Sequence, residues 1–199
     1  MTKPSAEYLR FVQSMKLSYA DWHDGVGYDL DAVRAMSPIE QTDVVRLMGD
    51  QTQGWRAIEV LRTIASPDAR RALAHSLSSS LTDTRLHAAD ALHALGELPD
   101  IAPIIADSLG KATLLDGMTT ALRLAARFPH DEVLRALLAE TRRRPEVAVQ
   151  YAALLCYLTG HAESEFDWAM RPFFIRFGEH AAPEDRAAAY DELRKLTGM

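Results

Sequence analysis

The feature that most constrains this chain is an apolar helix–turn–helix pattern between Thr82 and Leu109 that recurs along much of its length. In the first half of that stretch Leu81, Thr84, Ala88, Ala91, Leu92 and Leu95 fall at helical spacing. His87, Asp90, His93 and Glu97 point elsewhere, which predicts a single narrow buried stripe. Gly96 stands where a helix end favours positive φ. Pro99 and Pro103 are expected to open the second helix, because a missing amide hydrogen is tolerated only in a first turn. Ile101, Ile104, Ile105 and Leu109 then share one face. A pair of such helices leaves apolar flanks uncovered, so the expectation is that it stacks on further copies of itself.

Copies appear when Leu61, Leu92, Leu122 and Leu154 are aligned in AIEVLRTIA, AADALHALG, MTTALRLAA and YAALLCYLTG, at steps of 31, 30 and 32 residues. Breaks in periodicity coincide with breaker residues: Ser66-Pro67-Asp68, Gly96, Gly110, Pro129, Pro145, Gly160 and Pro183. No segment alternates with the two-residue period of a half-buried strand. The fold class is therefore read as all-α. Asp83, Arg85, Ala88, Ala89, Ala91, Leu92 and Gly96, followed by a Leu/Ile-rich helix, make the chain resemble the HEAT-repeat (armadillo-like) family in its short bacterial form. The clean likeness spans Thr82 to Leu109. Units near 55–79, 113–143 and 145–177 keep the apolar spacing without the Asp-x-Arg element. The resemblance implies an α-solenoid of about four helix pairs with helical caps, and a role in binding proteins.

As a single domain, the chain divides into an N-terminal helical cap over 1–54, repeats over 55–160 and an aromatic-rich C-terminal cap over 161–199. In the first part, Ser5 is a candidate N-cap for a helix over 5–17 with Tyr8, Phe11, Val12 and Met15 on one face. Ser37-Pro38-Ile39-Glu40 has capping-box spacing and predicts a helix over 38–48, followed by a polar loop over 49–54. In the last part Phe166, Trp168, Phe173, Phe174 and Phe177 crowd together, as large rings would to cover an open repeat face. Pro172 should break or kink a helix there, and a final helix over 184–196 should bury Ala187, Tyr190, Leu193 and Leu196.

A net charge of −6 opposes general nucleic-acid binding, which needs a positive face to displace counterions from phosphates. No apolar run approaches the ~20 residues of a membrane helix, and MTKPSAEYLRFVQ lacks the apolar core of a signal peptide. A cytoplasmic location without membrane contact is expected. The single cysteine, Cys156, lies in an apolar run and reads as a buried small hydrophobe rather than a nucleophile.

The leading candidate site is the loop from Asp21 to Asp31. Asp21, Trp22, His23, Asp24, Tyr28, Asp29 and Asp31 supply four carboxylates, a histidine and two rings with no cation among them. It could face a basic partner or hold a divalent metal, although its spacing is not that of an EF-hand. Equally, Asp29 or Asp31 could cap the next helix while Trp22 and Tyr28 pack on the first repeat. Trp168, Arg171 and Arg176 form a second candidate surface, of residue types enriched at binding hot spots, or else frame the cap. Arg142-Arg143-Arg144 reads as a solvated helix C-terminus or, alternatively, an anion patch. The seven histidines are scattered, with none at a ligand-like spacing from a second ligand.

No catalytic residues, metal or cofactor are assigned. The expectation is a non-catalytic protein–protein interaction module, in its narrower form an immunity or inhibitor protein against a basic bacterial toxin. Two alternatives stand beside it. One is a HEAT-like lyase or hydroxylase acting on a small molecule or a protein modification, although the His-Glu dipeptides of the di-iron hydroxylase branch do not occur in this chain. The other is a nucleic-acid-binding HEAT-like protein.

Overall fold

Local capping grammar sets most of the helix boundaries in the computed structural model, which describes residues 3–49 and 54–199. Helix α1 (Ala6–Ser14) starts at Ser5, whose hydroxyl accepts from the Tyr8 amide. After α2 (Tyr19–His23) and α3 (Leu30–Ala35), the Ser37/Glu40 pair opens α4 (Pro38–Gly49) by reciprocal hydrogen bonds at 3.2 and 3.3 Å. The polar loop expected over 49–54 falls largely outside the described residues. Helices α5 (Trp55–Ile64), α6 (Pro67–Ser76), α7 (Thr82–Ala94) and α8 (Ala102–Leu109) follow, then α9 (Met118–Arg127), α10 (Asp131–Arg143) and α11 (Ala148–Leu158). The chain closes with α12 (Arg171–Phe174), flanked by short 3-10 turns, and α13 (Pro183–Thr197). Among the described residues there is no strand, only isolated bridges from Thr113 to Asp116 and Gly117. No helix is long and apolar enough to cross a membrane.

Contacts gather the helices into two compact units, one ending at Pro99 and the other beginning at Asp100. The boundary falls inside the stretch that carries the clearest repeat pattern. In the first unit α4 packs on α5 and α6, α5 on α6 and α7, and α6 on α7, while α3 lies against α1 and α5. Leu61 and Leu92 occupy equivalent places: Ala57, Ile58, Val60 and Leu61 are buried on α5, as are Ala88, Ala89, Ala91 and Leu92 on α7. The stripe expected for α7 is too narrow, since Thr82, Leu86 and Ala89 are buried beside Thr84, Ala88, Ala91 and Leu92, and Leu81 is exposed. The physical reason is that α7 is covered on two sides, by α5 and by α6. Gly96 does take the left-handed conformation, φ 74°. Pro99, however, lies before α8, and Pro103 alone sits in its first turn.

Polar ties fasten the N-terminal helices. Glu40 Oε1 accepts from the Ser5 amide at 2.8 Å, and these bonds, with those from Ser37, hold its carboxyl down at about 2. Arg10 grips Asp29 with two hydrogen bonds, and the Asp29 amide donates to Ser14 Oγ at 3.0 Å. Phe11, fully buried, fills the space between α1 and its neighbours, with Tyr28 edge-on at 6.1 Å.

In the second unit α8 packs on α9 and α10, while α11 packs on α9 and α10. Leu154 is buried, whereas Leu122 is only partly so. Helix α9 turns Met118, Ala121 and Ala125 inward, and Leu122, one position after Ala121, is rotated to the rim of that face. Arg142 and Arg143 are exposed in the last turn of α10, the solvated end expected of the triplet, and only Arg144 departs from it. Arg142 lies over the Tyr190 ring and Arg143 pairs with the buried Glu140. Arg144 donates to the Leu109 and Ala112 carbonyls at 2.9 and 2.7 Å, closing the end of α8. Tyr151 also donates to the Leu109 carbonyl, and burial pushes its phenol up to about 12.

The C-terminal aromatics do form a cluster, with Phe174 and Phe177 buried and Phe166 and Phe173 beside them. The break expected at Pro172 is present: the 3-10 turn ends at Met170 and α12 starts anew at Arg171, with Pro172 in its first turn. Helix α13 buries Ala189 and Leu193, while Ala187 and Leu196 are exposed and Tyr190 is half-buried. Arg186 explains the rotation: its guanidinium donates to the carbonyls of Glu179 and Ala181, which turns that side of α13 toward the preceding loop.

Candidate functional site

The acidic N-terminal loop contains a helix that periodicity does not reveal. Ser18 Oγ accepts from the Asp21 amide at 3.1 Å and the Asp21 carboxylate accepts from the Ser18 amide at 3.0 Å, a complete capping box for the five-residue α2. The Ser18 hydroxyl and then its amide hold the Asp21 carboxyl below the usual carboxylate range. At the other end Gly25, at φ 69°, lets the Val26 amide return to the Asp21 carbonyl at 2.9 Å. Two bonds from Arg56 then secure the turn: Nε to the Val26 carbonyl at 2.7 Å and Nη2 to the Trp22 carbonyl at 3.4 Å. Gly27 lies over the Trp55 ring.

Held at both ends, α2 displays its side chains outward. Tyr19 is 79% exposed and Trp22 62%, their rings stacked at 6.4 Å with an interplanar angle of 30°. His23, four positions after Tyr19 and on the same face, lies 6.2 Å from its ring, with Nδ1 3.1 Å from Asp24 Oδ1. Trp22 therefore does not pack on the first repeat. The space it was expected to fill, over the start of α5, is occupied by the turn backbone and by Trp55.

The other predicted residues are engaged elsewhere. Asp29 caps α3 through the Ala32 amide and binds Arg10, which is the main reason its carboxyl is held low. Asp31 pairs with Arg34 at 2.6 Å, and Tyr28 is partly buried against Phe11. Asp21, Asp29 and Asp31 are thus bound within the loop and its neighbours and Asp24 lies against His23, and the surface that remains is aromatic more than anionic. Tyr19 was missed because it precedes the acidic run. The Ser18-x-x-Asp21 spacing, the same grammar as Ser37-x-x-Glu40, was the signal that could have found α2.

At the second candidate surface Trp168 is 74% exposed, edge-on to Phe166 at 5.7 Å, with the Arg171 guanidinium 5.6 Å from its ring. Asp167 shapes the local 3-10 turn by accepting from the Ala169 amide. Arg176 is structural: it binds Glu192 of α13 at 2.6 Å and lies over Phe173. A further exposed feature, absent from the sequence expectations, is the tip of the tight turn at Thr113–Gly117, where Leu115 is 99% exposed beside Leu114. Two leucines between Gly110 and Gly117, outside any helical register, were the available signal.

Among the described residues no group of three His, Cys, Asp or Glu side chains could hold a metal ion. Burial pushes the Cys156 thiol up to about 11, opposite to the shift that activates a nucleophile. No family model matches the chain, no curated protein matches it in sequence, and no solved structure matches it at the significance required.

Proposed function

We propose that the chain is a non-catalytic protein-binding module whose docking element is the aromatic face of α2. The observation that carries this reading is the stacked, outward Tyr19–Trp22 pair on a helix pinned by its capping box and by Arg56. Large rings held in place before binding bury much area at small entropic cost, and Trp and Tyr dominate binding hot spots. Helices packed on neighbours one and two positions along the chain support a HEAT-like stack within each unit, consistent with such a scaffold.

The narrower form is an immunity or inhibitor protein for a basic toxin. It draws support from the net charge of −6, with an acidic surface steering a cationic partner. Asp24, exposed beside His23, would supply a local contact. Among the described residues no cluster of side chains gives the enzyme or nucleic-acid reading comparable support.

The test is affinity capture from the source cell with the wild-type chain and with Tyr19→Ala/Trp22→Ala. A stoichiometric partner kept by the wild type and lost by the double variant is expected. A partner retained by the variant would move the docking face elsewhere. For the toxin form, association that slows steeply with rising salt is expected, since steering between opposite charges is screened within about 8 Å at physiological ionic strength.

A further inference from the structure

The two tryptophans outside α2 each carry a guanidinium from their own chain. Arg56 lies 4.6 Å from the Trp55 ring centroid, and Arg171 lies 5.6 Å from that of Trp168. The same pairing joins Phe128 to Arg127 at 4.7 Å, Tyr190 to Arg142 at 5.4 Å and Phe173 to Arg176 at 5.6 Å. The face of an aromatic ring is electrostatically negative. A guanidinium, planar and weakly hydrated, lies flat on it more readily than an ammonium does.

Tyr19 and Trp22 are the exception. Both are mostly exposed, yet among the described residues no cation lies over either ring. The nearby arginines are engaged elsewhere: Arg10 with Asp29, Arg34 with Asp31, and Arg56 with the Trp55 ring and the carbonyls of Val26 and Trp22. Lys16, three positions before Tyr19, is exposed and stacks on neither ring. In number Lys16 and Arg56 offset Asp21 and Asp24, so net charge selects no ligand here. What selects one is the unfilled ring surface, whose electrostatic complement is a cation.

Resting on the docking role of α2, we infer that its ring pair receives an arginine side chain presented by the partner. The guanidinium stacks on Tyr19 or Trp22 and turns its donor fork to Asp24. Asp24 follows Trp22 by two positions, has a side chain 70% exposed and meets His23 through Oδ1 alone. The partner thereby supplies from outside the contact that Arg56 and Arg171 make within the chain.

Titration of the isotope-labelled full chain with the peptide acetyl-Gly-Arg-Gly-Arg-Gly-amide, followed by NMR at the tryptophan indole N–H signals, checks the assignment. A saturable shift of the Trp22 signal is expected. Trp55 and Trp168 should stay in place, because their rings already carry a guanidinium. Lysine in place of both arginines should weaken binding about threefold, the scale of one exposed cation–π contact, and citrulline, which keeps the shape without the charge, should abolish it. Tyr19→Ala and Asp24→Asn should each weaken the arginine peptide about threefold, at an unchanged melting temperature. Absence of a saturable Trp22 shift, citrulline binding as tightly as arginine, or a larger shift at Trp168 than at Trp22 would overturn the inference. Oligothymidylate saturating Trp22 more tightly than the arginine peptide would overturn it in favour of base stacking. Failure here is distinct from failure of the docking role. A partner lost from Tyr19→Ala/Trp22→Ala without any response to the peptide keeps the docking face and removes the guanidinium. A peptide that shifts Trp22 while the double variant retains its partner does the reverse.

Discussion

The N-terminal helices and α13 each cover one side of their own unit, yet they are fastened in different ways. Helix α1 inserts a fully buried Phe11 and is tied by Ser5 to Glu40, Arg10 to Asp29 and Ser14 to Asp29, bonds that span 35, 19 and 15 positions. Helix α13 buries only Ala189 and Leu193, and two clefts, one of about 620 Å³ between α10 and α13 and one of about 270 Å³, both reach its Tyr190. A terminal helix is held firmly when one large ring and several directional bonds act together. Helix α13 has directional bonds too, from Arg176 to its Glu192 and from its Arg186 to the preceding loop, but no buried ring, and it leaves room beside it.

The sharpest way to break this comparison is to truncate the anchors. Phe11→Ala should cost about 3–5 kcal/mol in denaturant unfolding, as removal of a buried ring does in a tightly filled core. Leu193→Ala should cost about 2 kcal/mol, the low end for a buried leucine, because the adjoining clefts let its surroundings relax. Equal losses would show that α13 is as firmly seated as α1. Between them in kind stands Arg144→Ala, expected to cost about 1–3 kcal/mol by stranding the Leu109 and Ala112 carbonyls.

A smaller effect should appear with pH. The Glu40 carboxyl is held at about 2 in the folded chain against an ordinary 4.5, so the folded state favours its ionised form. Its contribution is complete above 4.5 and disappears as pH falls through about 2. Melting temperatures followed from pH 5 downward should therefore decline less steeply for Glu40→Gln than for the wild type. A parallel decline in both would remove Glu40 from the fastening of α1. Smallest of all should be Trp22→Ala and Trp168→Ala, within about 0.5 kcal/mol of the wild type, because neither ring is covered. A larger loss at Trp22 would mean that α2 serves the fold and not a partner.

How legible these features were depended on how far apart in sequence the interacting groups lie. Ser5, Ser37 with Glu40, Asp29 and Gly96 act within a few residues of themselves, and each was identified as a cap or a helix end. The all-helical class followed because breakers and periodicity are equally local. What faces a helix is not local. Leu86 and Leu122 were misjudged because burial depends on which sides of α7 and α9 have neighbours, and the stripe on α13 was off because Arg186 binds the loop before it. Arg144 looked like a solvated helix end because Leu109 and Ala112 are more than thirty positions away. At the candidate site, composition picked out the right loop for a different reason. Its carboxylates attracted notice, but Asp21 and Asp29 are engaged as caps, and Tyr19 with Trp22 forms the presented face.

The Arg144 clasp has a practical corollary for the turn that follows α8. Because both carbonyls at the base of that turn are gripped from α10 and α11, its stem is decoupled from its summit, where Leu114 and Leu115 make no demand on the interior. The bond between those two leucines is accordingly a permissive splice point. A tag, a fluorophore or a short foreign peptide grafted there would be carried outward while the helices on either side keep their places.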